Sequence, residues 1–417
     1  MKILYSKKDK KSEFSYIAFI VFTGFAFENQ KEKGIAHLLE HIVAKGSTFY
    51  KNHFTLFSEI NSKGIKFNAS TSDFFTTYYM DCSNSHVSDA IDLLSKIVFY
   101  PNINQNDLKI EKKIVVNELN ERISNPESFT FNQSLSKIYR KDNPFYLNDF
   151  EEIKNVVNFS FNDVQSFYNK YYTINNCAFY SSSSMPKDKI KKYFNNTFNK
   201  YKEDINNRQA NKVNTFFYYN KLLPKMHLIN NFQKQISFEK YFKKNRSSFL
   251  YFLQLIPFEI SSKEFAALFI LKNFFASTLT SFLFMELREK RQLVYTPRTD
   301  IDFSSNVSSF TINMFCEKNN RTKIIKKIKE YINKFKTELV PTKEFNKFKT
   351  VSYYMVKRLK LQDFYKMDLM ISKYFFKNVN NITSDLWINY INKINRSDIK
   401  NVVNRYFDEK KFYIFMT

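Results

Sequence analysis

The tightest constraint on how this chain folds is a repeat. Residues 161–182, FNDVQSFYNKYYTINNCAFYSS, and residues 396–416, RSDIKNVVNRYFDEKKFYIFM, share one order of features. Each sets an aspartate near the start of an amphipathic helix and an aromatic pair at its end (Tyr171 with Tyr172, Tyr406 with Phe407), followed by a short polar turn and an aromatic-rich strand. The copies lie about half a chain apart, so each half closes with one helix–turn–strand unit, and two domains of one fold follow. The length agrees: 417 residues exceed one ordinary core and suit two domains. The polar stretch Tyr201–Asn214 is the expected linker, giving domains at 1–200 and 215–417.

Periodicity fills in the halves. The first half predicts a buried strand over Ile17–Phe25, helices at Glu32–Ala44 and Phe54–Asn61, and strands Ile65–Thr71 and Phe75–Cys82 about a turn at Ser72–Asp73. Helices follow at His86–Tyr100 and Asn104–Ile123, the latter with Leu108, Val115 and Leu119 on one face, and Asn125–Pro126 ends it. The second half predicts strands at Thr215–Asn220, Phe249–Pro257, Leu293–Asp300 and Ser309–Phe315. Its helices are expected at Ser262–Ser277, Arg321–Phe335, Thr342–Leu361 and Ser384–Asn392. Strand runs mixed with helices, without regular strand–helix alternation, indicate an α+β fold.

Chemistry concentrates in GIAHLLEHIVAKG, residues 34–46. His37 and His41 are four apart, so on a helix both imidazoles project from one face, with Glu40 beside them. Leu38, Leu39, Ile42 and Val43 interleave with them, and histidines buried together without a shared partner are costly. Two imidazoles and a carboxylate from elsewhere make a three-ligand zinc site with an open position. Glu40 is then free to accept a proton from water, which bound zinc acidifies toward pKa ~7. The helix Asn104–Ile123 offers Glu111, Glu118 and Glu121. Glu111 and Glu118, two turns apart on one face, suit one ligand and one carboxylate that orients a histidine; the residues alone do not say which is which.

HLLEH is the inverted zinc motif HxxEH, and three blocks follow one another here: GIAHLLEHIVAKGS, NSKGIKFNASTSDFFTTYY and EKKIVVNELNERISNP. In these the chain resembles the pitrilysin, or M16, metallopeptidases of the two-domain kind. The resemblance implies two homologous α+β domains, each a mainly antiparallel sheet packed with helices, the LuxS/mitochondrial-processing-peptidase-like metallohydrolase fold. It further implies His37, His41 and Glu118 as ligands of one Zn2+ per chain, Glu40 as base and Glu111 as the supporting acid. The strand Gly64–Ser70 has small residues that leave room for another backbone, and in similar proteins it holds the peptide substrate, which makes Asn68 and Ala69 candidates. LREKRQLVYTPRTD, residues 287–300, is similar to the family's Arg…Tyr signature, with Gln292 where relatives usually place glycine. Arg288 and Tyr295 are then expected to hold the substrate carbonyl and the developing oxyanion. KEFAALFILKNFFAS, in the second half, carries no such motif, so the second domain is expected to hold no zinc.

The expected activity is that of a zinc metalloendopeptidase acting on short or unfolded peptides. Leader removal from a ribosomally made, bacteriocin-like peptide would suit a small two-domain member. A non-catalytic peptide-binding scaffold is the other class to weigh, although such subunits usually lose motif residues and this chain keeps them. The resemblance also implies a dimer, either of two copies or with a related subunit.

Charge enters only with the question of partners. The net charge is +25, with 26 Lys+Arg against 21 Asp+Glu in residues 1–200 and 39 against 19 in 201–417. A basic second half would attract acidic peptides. Arginine is sparse and no nucleic-acid motif is present, so nucleic acid is not an expected partner. Cys82, Cys177 and Cys316 are widely spaced and read as reduced thiols. The lysines at 7, 8, 10 and 11 before the apolar run Tyr16–Phe27 copy the start of a signal peptide, but no small-residue cleavage site follows. No apolar run reaches the ~18 residues of a membrane span, so the expected location is the cytoplasm.

Overall fold

The structure, a computed structural model, describes residues 1–208, 235–244, 246–256, 260–302, 308–375, 384–408 and 412–417. The expected strand Thr215–Asn220, the last part of the expected linker (209–214) and Pro257 lie outside the described residues. What is described divides into two compact units. One comprises Met1–Arg122 with Tyr139–Arg208; the other comprises Ile123–Ile138 with the residues from Gln235 onward.

The first unit is built on a five-stranded sheet of β1 (Lys2–Lys7), β2 (Phe14–Val21), β3 (Lys66–Thr71), β4 (Thr76–Ser83) and β5 (Cys177–Ser183), in the order β1-β5-β2-β4-β3. All neighbours are antiparallel except β1 with β5, which run parallel. Its helices are α1 (Ile35–Lys45), α2 (His53–Ser62), α3 (Val87–Phe99), α4 (Gln105–Ser124), α6 (Asp149–Asn158), α7 (Phe161–Tyr171) and α8 (Lys187–Arg208), while α5 (Pro126–Ile138) falls in the second unit. The core lies between one sheet face and these helices. There Phe19 of β2 and Phe179 of β5 meet Phe99 of α3 and Phe194 and Phe198 of α8, with ring centroids 4.5–6.3 Å apart. Burying such rings is worth about 1.5–3 kcal/mol each, so these contacts hold the sheet under the helices.

The second unit repeats the plan. Strands β6 (Gln235–Ser237), β7 (Ser247–Ile256), β8 (Arg298–Asp302), β9 (Ser308–Glu317) and β10 (Phe412–Met416) are ordered β6-β10-β7-β9-β8, again with one parallel pair, β6 with β10. Strand for strand this is the same topology. The helices here are α9 (Ser262–Ala276), α10 (Arg321–Thr337), α11 (Thr342–Leu359), α12 (Asp363–Phe375), α13 (Ser384–Lys393) and α14 (Arg396–Tyr406). The repeated endings correspond in detail. Ser160 and Asp163 form a capping box at the start of α7, as Asn395 and Asp398 do on α14, and each helix leads to the last strand of its unit, which stands second in the sheet order. Helix α5 packs on β7 and β10, with Phe129 against Phe238 and Phe242, so the second unit reaches back into the first half of the sequence.

Several expectations shift. The parallel pairs modify the mainly antiparallel sheets, and β1, at a lysine-flanked edge, was not foreseen. The strand expected to reach Phe25 ends at Val21, and Phe25–Phe27 turns as a 3₁₀ helix whose Phe25 and Ala26 N–H groups donate to the carbonyls of Ser72 and Asp73. The strand expected over Leu293–Asp300 is confined to Arg298–Asp302, with only Val294 bridging to Cys316, because Pro297 cannot donate to a ladder. Tyr201–Arg208 of the expected linker continues α8. Among the described residues no helix is long and apolar enough to cross a membrane, and all three cysteines are free and buried.

Candidate metal centre

Helix α1 presents two faces. Ile35, Leu38, Leu39, Ile42 and Val43 follow helical spacing and are buried in the first core. His37, Glu40 and His41 occupy the remaining face and are half-buried. The helix starts at Gly34, which adopts φ +96°, and its first free N–H groups are satisfied by the Glu28 carboxylate, which accepts from Gly34 N (3.1 Å) and Ala36 N (2.8 Å).

Helix α4 crosses opposite. Its buried stripe is Leu108, Glu111, Val115 and Leu119, so Glu111 sits in the packed side and Glu118 lies at its margin. One oxygen of Glu118 stands 3.5 Å from His37 Nε2 and 3.5 Å from His41 Nε2. Among the described residues His37, His41 and Glu118 are the only three such side chains that could hold a metal ion, their donor atoms all lying within 4.8 Å of one another. The fit is good: bonds of about 2.0–2.2 Å in a tetrahedral zinc site separate neighbouring donors by about 3.4 Å. That is also longer than a hydrogen bond between imidazole and carboxylate should be. Glu121 is not in the group.

Glu111 does something different. Its Oε2 lies 3.3 Å from His41 Nδ1, while its Oε1 accepts from Lys45 Nζ at 2.8 Å. Lys45, one turn after His41, also pairs with Asp107 at 3.1 Å. A carboxylate on Nδ1 holds the imidazole in the tautomer that leaves Nε2 as a ligand. Glu40 stays outside the ligand triangle, and its Oε2 accepts a 2.6 Å hydrogen bond from the Thr71 hydroxyl at the end of β3. Thr71 and Lys45 were not singled out by the sequence, since both depend on packing between elements distant in the chain.

The electrostatics divide the group. Burial, reinforced by the charges of His41 and Arg122, pulls His37 down to about 4, so it is neutral at physiological pH. Burial also pulls on His41, but its hydrogen bond to Glu111 and the charges of Glu118 and Glu40 outweigh it, and His41 titrates above its ordinary value. Burial raises Glu40, opposed by the Thr71 hydrogen bond and His41 and assisted by Glu118. For Glu111 the hydrogen bonds from His41 and Lys45 overcome burial and hold the carboxyl below the usual range.

The other sequence candidates are placed as follows. Strand β3 ends the sheet order, so one of its edges pairs with no strand among the described residues. Asn68 bridges locally, with Oδ1 accepting from Ala69 N (2.9 Å) and Nδ2 donating to Tyr79 Oη (3.1 Å). A cleft lined by Phe57, Ile65, Lys66, Phe67, Asn68 and Tyr79 opens at this end of the strand. In the second unit the Arg288 guanidinium lies 4.5 Å from the Phe284 ring and 5.1 Å from the Tyr295 ring, and Tyr295 is 74% exposed. Gln292 has φ +53°, with its N–H bonded to Arg288 O and the Leu293 N–H to Leu287 O, a left-handed residue just past the π-helical turn Phe284–Glu289.

A doubled five-stranded α+β unit, with an inverted His–Glu–His helix in the first copy only, defines the two-domain M16-like class. The family model described as insulinase, peptidase family M16, matches residues 3–146, and that of the peptidase M16 inactive domain matches residues 158–351. The chain belongs to this family. It is 25% identical over 338 residues to an uncharacterized zinc protease of Rickettsia felis, covering 80% of this chain and 76% of that protein. It is 28% identical over 182 residues to the mitochondrial-processing peptidase subunit beta of Caenorhabditis elegans, a match that spans 43% of this chain and only 39% of the relative. Among solved structures, a protease from Helicobacter pylori superposes with a TM-score of 0.84 at 17% identity, covering 99% of this chain and 96% of that one.

Proposed function

We propose that the chain is a zinc metalloendopeptidase that hydrolyses short or unfolded peptides, holding one Zn2+ through His37, His41 and Glu118. The observation that carries the reading is the single Glu118 oxygen placed 3.5 Å from both Nε2 atoms, with Glu40 beside the triangle and not part of it. Zinc, when bound, supplies Lewis-acid polarisation of the scissile carbonyl and lowers the pKa of water. Glu40 takes the proton from water as its oxygen attacks the carbonyl carbon, and delivers a proton to the leaving amine as the C–N bond breaks. Thr71 donates to Oε2 of Glu40, and Oε1 is the oxygen that takes the proton in this reading. Glu111 fixes the His41 tautomer.

The edge of β3 takes the substrate backbone by strand addition at Asn68 and Ala69. Arg288 and Tyr295, a stacked cation and phenol, serve the substrate carbonyl and oxyanion in the assembled protein, a homodimer or a pair with a related subunit. The particular substrate proposed is the leader of a ribosomally made, bacteriocin-like precursor, with the basic second half favouring acidic peptides.

The test is Glu40→Gln. The variant is expected to bind zinc as the wild type does and to lose hydrolysis, read by mass spectrometry of products from a peptide mixture with and without chelator. Wild-type turnover in Glu40→Gln would overturn the mechanism. Chelator-insensitive peptide binding without cleavage by the wild type would instead make the chain a scaffold.

A further inference from the structure

A cluster of charged side chains, most of them buried, is contributed by three segments of the first unit, α4, α6 and the turn before α1. Arg122 follows Glu118 by one turn of α4. Its Nε donates to Asp149 Oδ1 at 2.8 Å and its Nη2 to Glu152 Oε2 at 2.6 Å, so both contacts are to α6. Asp149 is fully buried and Glu152 nearly so. A guanidinium held at two points by desolvated carboxylates has little freedom, because its planar fork fixes direction as well as distance.

The same helix supports the start of α1. A Cβ on Gly34 would lie 2.8 Å from Glu152 Cγ and 2.9 Å from Val156 Cγ2, so α6 is in direct contact with the residue that begins the metal helix, three before His37. Asn155 Nδ2 donates to Gln30 O at 2.9 Å and to Lys33 O at 3.3 Å, tying down the turn before α1. Lys33, itself buried, donates to Phe25 O and Pro144 O, both at 2.8 Å. One helix, α6, thus touches the element that supplies the two histidines and, through Arg122, the element that supplies the third ligand.

We propose that Arg122 is a positioning residue for Glu118, setting the approach of its carboxylate to His37 and His41 by tying α4 to the helix on which α1 begins. The inference rests on the metal-centre reading above. It differs from a purely structural role for the ion pair, since Arg122 then acts on zinc through one specific side chain. Glu118 needs such help more than the histidines do. It lies at the margin of its helix's buried stripe with its side chain 47% exposed, and a free glutamate has three rotatable bonds to order before it can ligate.

The experiment is a double-mutant cycle on zinc affinity in the full chain, measured by competition with a chromophoric chelator. Arg122→Gln is expected to weaken zinc binding about 10–100-fold, the range for removing a group that orients a ligand. In a Glu118→Gln background the same change is expected to cost less than about twofold, because the ligand it positions is gone. Equal zinc affinity in Arg122→Gln and wild type, or the same loss in both backgrounds, overturns the proposal. Removing Arg122 leaves two buried carboxylates without their partner, so Arg122→Lys is run in parallel, with urea unfolding of the metal-free protein to establish that it folds. A folded Arg122→Lys is expected to lose part of the affinity, and wild-type affinity in it also overturns the proposal. A wild type that binds no zinc overturns the metal-centre reading and this inference with it, whereas a tight wild type with an indifferent Arg122 overturns the inference alone.

Discussion

Thr71→Val isolates the base from the metal. The two side chains have the same shape, so the change removes one hydroxyl and with it the 2.6 Å hydrogen bond to Glu40 Oε2. Burial already holds the Glu40 carboxyl above its ordinary value, and the Thr71 hydrogen bond is the largest influence opposing that rise. A hydrogen bond to a charged group is worth about 1.5–3 kcal/mol, so losing it raises Glu40 further. The sign follows directly. A base works only when ionised, so the acid limb of kcat/KM against pH moves toward alkaline pH, and on that limb a loss of about 1.5–3 kcal/mol lowers the rate about 10–100-fold. The assay is a pH–rate profile on a peptide that the wild type cleaves, with zinc content measured in both proteins. Thr71→Ser keeps the hydroxyl and is expected to restore the wild-type limb. An acid limb in Thr71→Val that coincides with the wild type, at equal zinc content, would refute the assignment of Glu40 as base or of Thr71 as its partner.

The other expectations are shorter. Zinc binding near pH 6 should release about one proton rather than two: His41 titrates above its ordinary value and must lose its proton to ligate, while His37, down at about 4, is already neutral. Calorimetry in buffers of different ionisation enthalpy counts the protons, and two released, or an affinity independent of pH between 5 and 7, contradicts the electrostatic picture. Gln292→Gly should stabilise the chain by roughly 0.5–1 kcal/mol. The left-handed conformation costs a side chain about 1–2 kcal/mol, and part of that gain is returned as glycine's unfolded-state entropy. A urea midpoint that falls on this substitution would show that the Gln292 side chain contributes more than its backbone costs.

How much of this was legible in the chain follows from which interactions are local. The ligand face of α1 was, because its apolar residues at 35, 38, 39, 42 and 43 leave His37, Glu40 and His41 only one other side to occupy. The carboxylate pair on α4 was legible as a pair and not as two roles. What separates Glu118 from Glu111 is the rotation of α4 about its axis, fixed by the burial of Leu108, Val115 and Leu119. Edge strands escaped for a related reason. β1 and β6 gain their partners from β5 and β10 far along the chain, and a lysine-flanked or three-residue strand shows little periodicity of its own. Helix α5 carries no mark of the unit it joins, because an amphipathic face fits any core and only the contact of Phe129 with Phe238 and Phe242 decides. Arg122 was visible as a residue, but its meaning lies 27 and 30 positions away in Asp149 and Glu152.

The two units explain why one fold could hold one site. Both sheets have the same strand order and close on a capped helix and an aromatic strand, so the apolar positions that specify the sheet are retained in each. The helix that follows the second strand differs. In α1 the polar face carries His37, Glu40 and His41, and the helix begins at a glycine backed by Glu152. In α9, the corresponding helix, burial runs almost all round from Ala266 to Ala276, and Lys272 turns outward to pair with Asp300. A helix buried on every side has no face left for ligands, since an imidazole pair there would be desolvated without a partner. The absence of a candidate ligand cluster among the described residues of the second unit goes with the near-complete burial of α9. The half-buried face of α1 in the first is what a ligand set requires, its other face packed in the apolar core and its first turn backed by α6.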